Sequence, residues 1–127
     1  MPKTKEQFEA IKEERRQAIL KGALYLFAIQ GYNSTTMDEI SKYVECSHGL
    51  LYHYFPTKDA LFEELFDKVI KVKHREIIQH INRDEDPKFL IKDLLDAYLF
   101  ALKSNNDEYA CVLYLLLNIH LQKNQKQ

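Results

Sequence analysis

Between Thr36 and Tyr54 the chain reads Thr36-Met37-Asp38-Glu39-Ile40-Ser41-Lys42-Tyr43-Val44-Glu45-Cys46-Ser47-His48-Gly49-Leu50-Leu51-Tyr52-His53-Tyr54. Thr36 with Glu39 predicts a capping box, the hydroxyl and the carboxylate each taking an orphan backbone N–H. A short helix follows from Met37 to about Val44, with Ile40 and Val44 on its apolar side. Glu45-Cys46-Ser47 breaks it. Ser47 is a good N-cap for a further helix from His48 to Tyr54. Pro56 closes that helix, because the residue before a proline avoids the α region. Ile40, Ser41 and Val44 point inward from the first helix, Leu51 and Tyr54 from the second, and Ser41 is small where two helices must cross closely. Two short helices on a three- or four-residue turn with this spacing make a helix-turn-helix. Glu45 stands in the turn where such units often carry glycine, so it must adopt another turn geometry or accept strain.

Upstream, Ile19, Leu20, Ala23, Leu24, Phe27 and Ala28 recur at three- and four-residue intervals, and Phe8 and Ile11 extend the stripe. This predicts one long helix from about Thr4 to Gln30, stopped by Gly31. Gly22 inside it costs about 1 kcal/mol against alanine, and a close packing contact is the usual reason. Downstream, Thr57 caps a fourth helix from Lys58 to about Ile81. Leu61, Leu65, Val69, Val72 and Ile77 line one side, and Phe62, Phe66 and Ile70 widen it. Asn82 to Asp86 is a polar connection. Asp86 followed by Pro87 starts a fifth helix, running to about Ser104 with Leu90, Ile91, Leu94, Leu95, Tyr98 and Leu102 toward the core. A sixth runs from Asp107 to about Leu121, before a polar, frayed tail. The expected fold is therefore all-α: a three-helix helix-turn-helix domain over residues 1–57, homeodomain-like, followed by a helical domain over residues 58–127.

Composition narrows the function. Apolar residues are 46% and charged residues 29%, which fits a globular protein and argues against disorder. Eighteen Lys/Arg against nineteen Asp/Glu give a net charge of -1, which excludes a strongly basic, histone-like protein but not a local DNA-binding face. Cys46 and Cys111 are too few for a disulfide framework and lack zinc-site spacing. The start of the chain lacks the order of a signal peptide, and the longest apolar run, Tyr109 to Leu117, is far shorter than the ~20 residues of a membrane span. A cytoplasmic protein with reduced thiols and no membrane partner is expected. There is no activated-nucleophile motif, phosphate-cradling glycine loop, metal-ligand set or cofactor motif, so an enzyme is not expected.

In a helix-turn-helix the second helix lies in the major groove, with its N-terminal residues at the base edges; here these are His48, Gly49 and Leu50. Three stretches, Thr35-Thr36-Met37-Asp38-Glu39-Ile40, Cys46-Ser47-His48-Gly49-Leu50-Leu51-Tyr52-His53-Tyr54-Phe55 and Lys58-Asp59-Ala60-Leu61-Phe62, resemble the DNA-binding domain of the tetracycline-repressor (TetR/AcrR) family. That family's pattern is a long first helix ending in Gly-Tyr or Gly-Phe, here Gly31-Tyr32, then a Thr-Thr pair, then Ser-x-Gly-x-Leu-Tyr-x-Tyr-Phe, then Lys-Glu/Asp-x-Leu opening the fourth helix. The parts occur in order over roughly residues 15–66. The resemblance implies that Thr36 and Ser47 hold phosphates at helix N-termini and that Gly49 lets the recognition helix approach the groove. It implies that His48 faces bases or an adjacent phosphate, that Tyr52 and His53 donate to the DNA backbone, and that Lys58 places its ammonium on a phosphate. Each residue also has a plainer reading. Thr36 and Ser47 are caps with or without DNA, Tyr52 serves packing, and His48 and His53 are solvated. The five-residue offset of the two histidines does not suit a metal site. Residues 1–60 carry eight Lys/Arg and eight Asp/Glu, which predicts modest non-specific affinity with a shallow salt dependence.

The resemblance further implies that the helices beyond the third form a ligand-binding and dimerisation domain, with the fourth helix linking ligand entry to the spacing of two recognition helices. The expected protein is a repressor that binds a palindromic operator as a homodimer and leaves it on binding a small amphipathic or aromatic effector. Candidate pocket residues are Phe66, Phe89, Tyr98, Phe100, Tyr109, Tyr114 and His120, although aromatic residues at helical spacing are more often core. Family members run well beyond this length, and residues 109–117 are apolar all round and need cover on every side. Either the regulatory domain is incomplete or the sixth helix packs on a second copy; the resemblance favours the former. The rival reading is an all-helical protein-interaction module, favoured by the neutral charge and opposed by the Thr-Thr and Ser-x-Gly-x-Leu-Tyr motifs.

Overall fold

A computed structural model describes residues 4–104 and 107–125, with side-chain surroundings as far as residue 118. The described residues form helices and turns, with no strand among them. They fall into two compact units, Met1–Leu65 and Phe66–Gln127.

The first unit is built on α1 (Lys5–Gln30). Thr4 and Gln7 close a reciprocal capping box at its start, the Gln7 N–H donating to Thr4 Oγ1 and the Thr4 N–H to Gln7 Oε1. Gly31 ends the helix at φ 90°, its N–H donating to Phe27 O. Only glycine adopts that conformation without strain. Helices α2 (Met37–Tyr43), α3 (His48–Tyr54) and α4 (Lys58–Leu65) follow, each behind the hydroxyl cap the sequence predicts. Leu20, Leu24, Phe27, Ile40, Leu51, Leu61 and Leu65 are all fully buried, and burial of each such side chain contributes about 1.5–3 kcal/mol. Gly22 has the expected packing reason: a Cβ there would lie 2.3 Å from Val44 Cγ1, so α2 crosses α1 where no side chain fits. Phe27, Tyr32 and Phe62 form an aromatic cluster joining α1, its exit turn and α4. That packing carries the first unit to Leu65, eight residues past the boundary read at residue 57.

The second unit begins with a π-helical turn, Phe66–Ile70, then α5 (Lys71–Ile78), α6 (Pro87–Lys103) and α7 (Asp107–Gln125). The single helix expected over 58–81 is therefore divided. A π turn inserts residues relative to α periodicity, so the 3.6-residue stripe does not run through it. Val69 and Ile70 are buried but Val72, placed on the same stripe by spacing, is exposed. Asp86 caps α6 through the Lys88 N–H, with Pro87 in the first turn. The expected inner face of α6 is corrected in part. Ile91, Leu95 and Leu102 are exposed, whereas Leu90, Leu94, Ala97, Tyr98 and Ala101 are half-buried or buried. The apolar arc of α6 is wider than the side that α5 and α7 cover.

Candidate nucleic-acid interface

The turn between α2 and α3 is stopped by a residue in the left-handed region. Glu45 has φ 57°, while its N–H donates to Lys42 O and the Cys46 N–H donates to Ser41 O. The turn therefore keeps the geometry a glycine would give and accepts the strain, about 1–2 kcal/mol for a side chain in this region. Ser41 is buried at the crossing and donates to Asp38 O. Cys46 beside it is half-buried, and burial pushes its thiol up, so it stays protonated.

The α3 helix exposes Ser47, His48, Gly49, Tyr52 and His53, while Leu50 is half-buried and Leu51 fully buried. A Cβ at Gly49 would meet nothing within 4 Å. Ser47 Oγ accepts the Leu50 N–H at 3.1 Å. Thr36 is also exposed, but the capping box expected there is half formed. Its hydroxyl accepts the Glu39 N–H and donates to Glu39 Oε1, both at 3.1 Å, so the carboxylate takes the hydroxyl hydrogen rather than the Thr36 N–H.

Lys58 is turned inward. Its ammonium donates to Tyr32 O at 2.8 Å and Thr35 O at 3.1 Å and lies 4.3 Å from the centre of the Tyr32 ring. It clasps the turn between α1 and α2. Thr35, the buried partner in the Thr-Thr pair, donates to Gly31 O at 2.7 Å. Tyr32 donates to Asp59. Behind α3, Arg16 donates to Glu64 Oε2 at 2.7 Å and lies over the Phe55 and Tyr54 rings, fastening the end of α3 to α1 and α4.

Two residues that sequence reasoning passed over join this face. Asp38 in the first turn of α2 holds Lys42 Nζ at 3.1 Å on one oxygen and His48 Nδ1 at 3.5 Å on the other. The Lys42 hydrogen bond, more than the histidine, holds the Asp38 carboxyl below the usual carboxylate range. His48 in turn lies against Tyr52, ring centres 4.7 Å apart. The i,i+4 spacing of Asp38 and Lys42 was readable in the sequence; the reach across to α3 was not.

The pocket candidates of the second unit divide. A cavity of about 670 Å³ is lined by Phe100 and Tyr109 together with Glu76, His80, Asp93, Asp96, Ala97 and Ser104, among others. Tyr109 donates to Glu76 at 3.0 Å, which raises its phenol above the usual range. Phe66, Phe89, Tyr98 and Tyr114 do not line it. Phe66 lies by Lys71, Phe89 and Tyr114 are exposed, and Tyr98 hydrogen-bonds His74 at 3.0 Å. The His120 side chain lies outside the described residues. The acidic lining was missed, although Asp93, Asp96, Phe100 and Ser104 share one helical face. Among the described residues no three His, Cys, Asp or Glu are placed to hold a metal, and no helix is long and apolar enough to cross a membrane.

Comparison with known proteins identifies the first unit. The family described as bacterial regulatory proteins, tetR family, matches residues 19–65. The biofilm operon icaADBC negative transcriptional regulator IcaR of Staphylococcus epidermidis is 31% identical over 103 residues, covering 81% of this chain and 53% of IcaR. The helix-turn-helix transcriptional regulator YhgD of Bacillus subtilis is 30% identical over 89 residues, covering 70% of this chain and 44% of YhgD. A crystal structure of a tetR family transcription regulator from Shewanella sp. PV-4 superposes with a TM-score of 0.56 at 31% identity, over 76% of this chain and 51% of that one. The chain spans about half the length of these relatives.

Proposed function

The chain belongs to the tetR family of bacterial regulators, and we propose that it binds a palindromic DNA operator as a homodimer through α3 and represses transcription until a small molecule releases it. The observation that carries the DNA reading is Gly49. It sits in the first turn of α3 with open space where its Cβ would be. Nothing inside the fold calls for a glycine there, and glycine costs about 1 kcal/mol in a helix. A surface that must approach another backbone closely supplies the reason. Ser47, His48, Tyr52 and His53 stand around it on the exposed side of α3, and the remaining hydrogen of Lys58 adds a phosphate donor at the margin. Phosphate contacts set the register and the few groove contacts set the sequence.

For the effector, the supporting feature is the cavity of the second unit, with the rings of Phe100 and Tyr109 beside polar groups. That combination suits an amphipathic or aromatic molecule. Selection from a randomised duplex library tests the DNA reading. An enriched inverted repeat supports a dimeric operator-binding factor, and single half-sites support DNA binding without the dimer. No enrichment at low salt from folded protein contradicts the reading and favours the protein-interaction module.

A further inference from the structure

The cavity of the second unit, about 670 Å³, is large enough for a drug-sized molecule. Its apolar lining includes Ile77, Ile81, Ala97 and the rings of Phe100 and Tyr109. Phe100 is largely exposed, so the fold makes little use of its ring. The charged lining has one sign. Among the described lining residues Glu76, Asp93 and Asp96 are carboxylates, and none is Lys or Arg. Glu76 already has partners: its Oε2 accepts the Tyr109 hydroxyl at 3.0 Å and lies 3.6 Å from Lys73 Nζ. Lys73 is shared with Glu108, also at 3.6 Å. Asp93 and Asp96 have no ion-pair partner among the described residues. Asp93 meets another acid instead: a hydrogen bond with Asp93, and then its charge, raise the Glu85 carboxyl above the usual carboxylate range. Asp96 follows Asp93 by three residues and precedes Phe100 by four, so both carboxylates and the ring share one face of α6.

These surroundings select among ligands. An anion in the cavity meets like charge, with no Lys or Arg of the described lining to offset it. A neutral aromatic molecule covers the rings but takes water from carboxylates that it does not pair. A metal ion needs several ligands at once, and among the described residues no three His, Cys, Asp or Glu are placed to hold one. An organic cation answers both parts of the lining. Its charge is attracted by the carboxylates and by the faces of aromatic rings, and its apolar body covers the aliphatic and aromatic side chains. We propose that the effector is an amphipathic organic cation, with its charge at Asp93 and Asp96 and its apolar body against Phe100 and Tyr109. The inference deepens the effector reading above and rests on it.

The test is calorimetric titration of the whole chain at about pH 7, where alkylammonium groups and carboxylates are both charged. The probes are matched aminomethyl, hydroxymethyl and carboxylate derivatives of benzene, naphthalene and biphenyl, which differ in charge on bodies of rising size. On the body that binds best, the parent is expected to hold the ammonium at least about tenfold more tightly than the alcohol, and the carboxylate most weakly. The double variant Asp93→Asn with Asp96→Asn removes the charge at nearly constant size. It is expected to hold the ammonium and the alcohol alike, with the alcohol unchanged from the parent and thermal unfolding showing an intact fold. Should the double variant not fold, Asp96→Asn alone, at an exposed position, must reduce the preference. An alcohol or carboxylate that matches the ammonium in the parent overturns the proposal and leaves the cavity as an effector site. So does an ammonium preference that the folded double variant keeps. No binding by any compound on any of the three bodies overturns both the proposal and the effector reading of the cavity.

Discussion

Phe27 and Phe100 are the same side chain in opposite settings. Phe27 has no exposed surface, enclosed by the aromatic cluster of the first unit, whereas Phe100 is 78% exposed at the edge of the cavity in the second. The contrast extends to their surroundings. In Met1–Leu65 four helices close over a core of fully buried aliphatic side chains. Among the described residues of Phe66–Gln127 the buried set is Val69, Ile70, Ala101, Val112, Leu113 and Leu115, while Ile91, Leu95, Leu99, Leu102 and Leu117 stay exposed. The first unit spends its apolar residues on holding α3 in place. The second leaves many of its own exposed.

The largest expected effect tests this contrast directly. Phe27→Ala should cost about 3–5 kcal/mol of stability, and Phe100→Ala no more than about 0.5 kcal/mol, both by denaturant unfolding. Equal losses would mean that the units are equally packed. Next is Gly22→Val, which drives a branched side chain into Val44. It should cost about 1–3 kcal/mol from overpacking, and a neutral result would show that α2 can move away from α1 freely. Glu45→Gly should relieve the left-handed residue of the turn and stabilise the protein by about 0.5–1 kcal/mol; a loss would show that the Glu45 side chain has a role of its own.

The smallest effect concerns pH. Burial lowers the half-buried His74 from its ordinary value of 6.5. The unfolded chain then binds a proton at His74 more readily than the folded one, so stability rises with pH through that window. The contribution is complete above the unfolded value and declines as pH falls below it, levelling off once pH passes the folded value. His74→Gln should flatten that slope in thermal melts between about pH 5 and about pH 7. An unchanged slope would assign the acid sensitivity elsewhere.

The helix starts were legible because caps are local. Thr36, Ser47, Thr57 and Asp86 all sit where their side chains meet nearby backbone N–H groups. The need for Gly22 and Gly31 followed from glycine's missing Cβ. What stayed hidden depends on partners distant in sequence or on a break in period. The π turn at Phe66–Ile70 interrupts a stripe that looks continuous. Lys58 finds carbonyls more than twenty residues earlier, so it also clasps the turn between α1 and α2. Asp38 and His48 belong to different helices, and Arg16 and Glu64 are 48 residues apart. In the second unit the expected inner face of α6 followed its apolar residues, but these cover more of the helix than its neighbours do.

The central claim, that α3 of the first unit is a nucleic-acid face, is tested most directly at Gly49. An enriched duplex should be titrated against the parent and Gly49→Leu, with thermal unfolding of both proteins measured in the same buffer. The account predicts that Gly49→Leu unfolds at the same or a higher temperature, since leucine gains about 0.5–1 kcal/mol of helix propensity over glycine and its Cβ meets nothing within 4 Å. Binding should fall by two orders of magnitude or more, roughly the loss of two groove contacts. A Gly49→Leu protein that unfolds as expected and still binds the duplex like the parent would contradict the account.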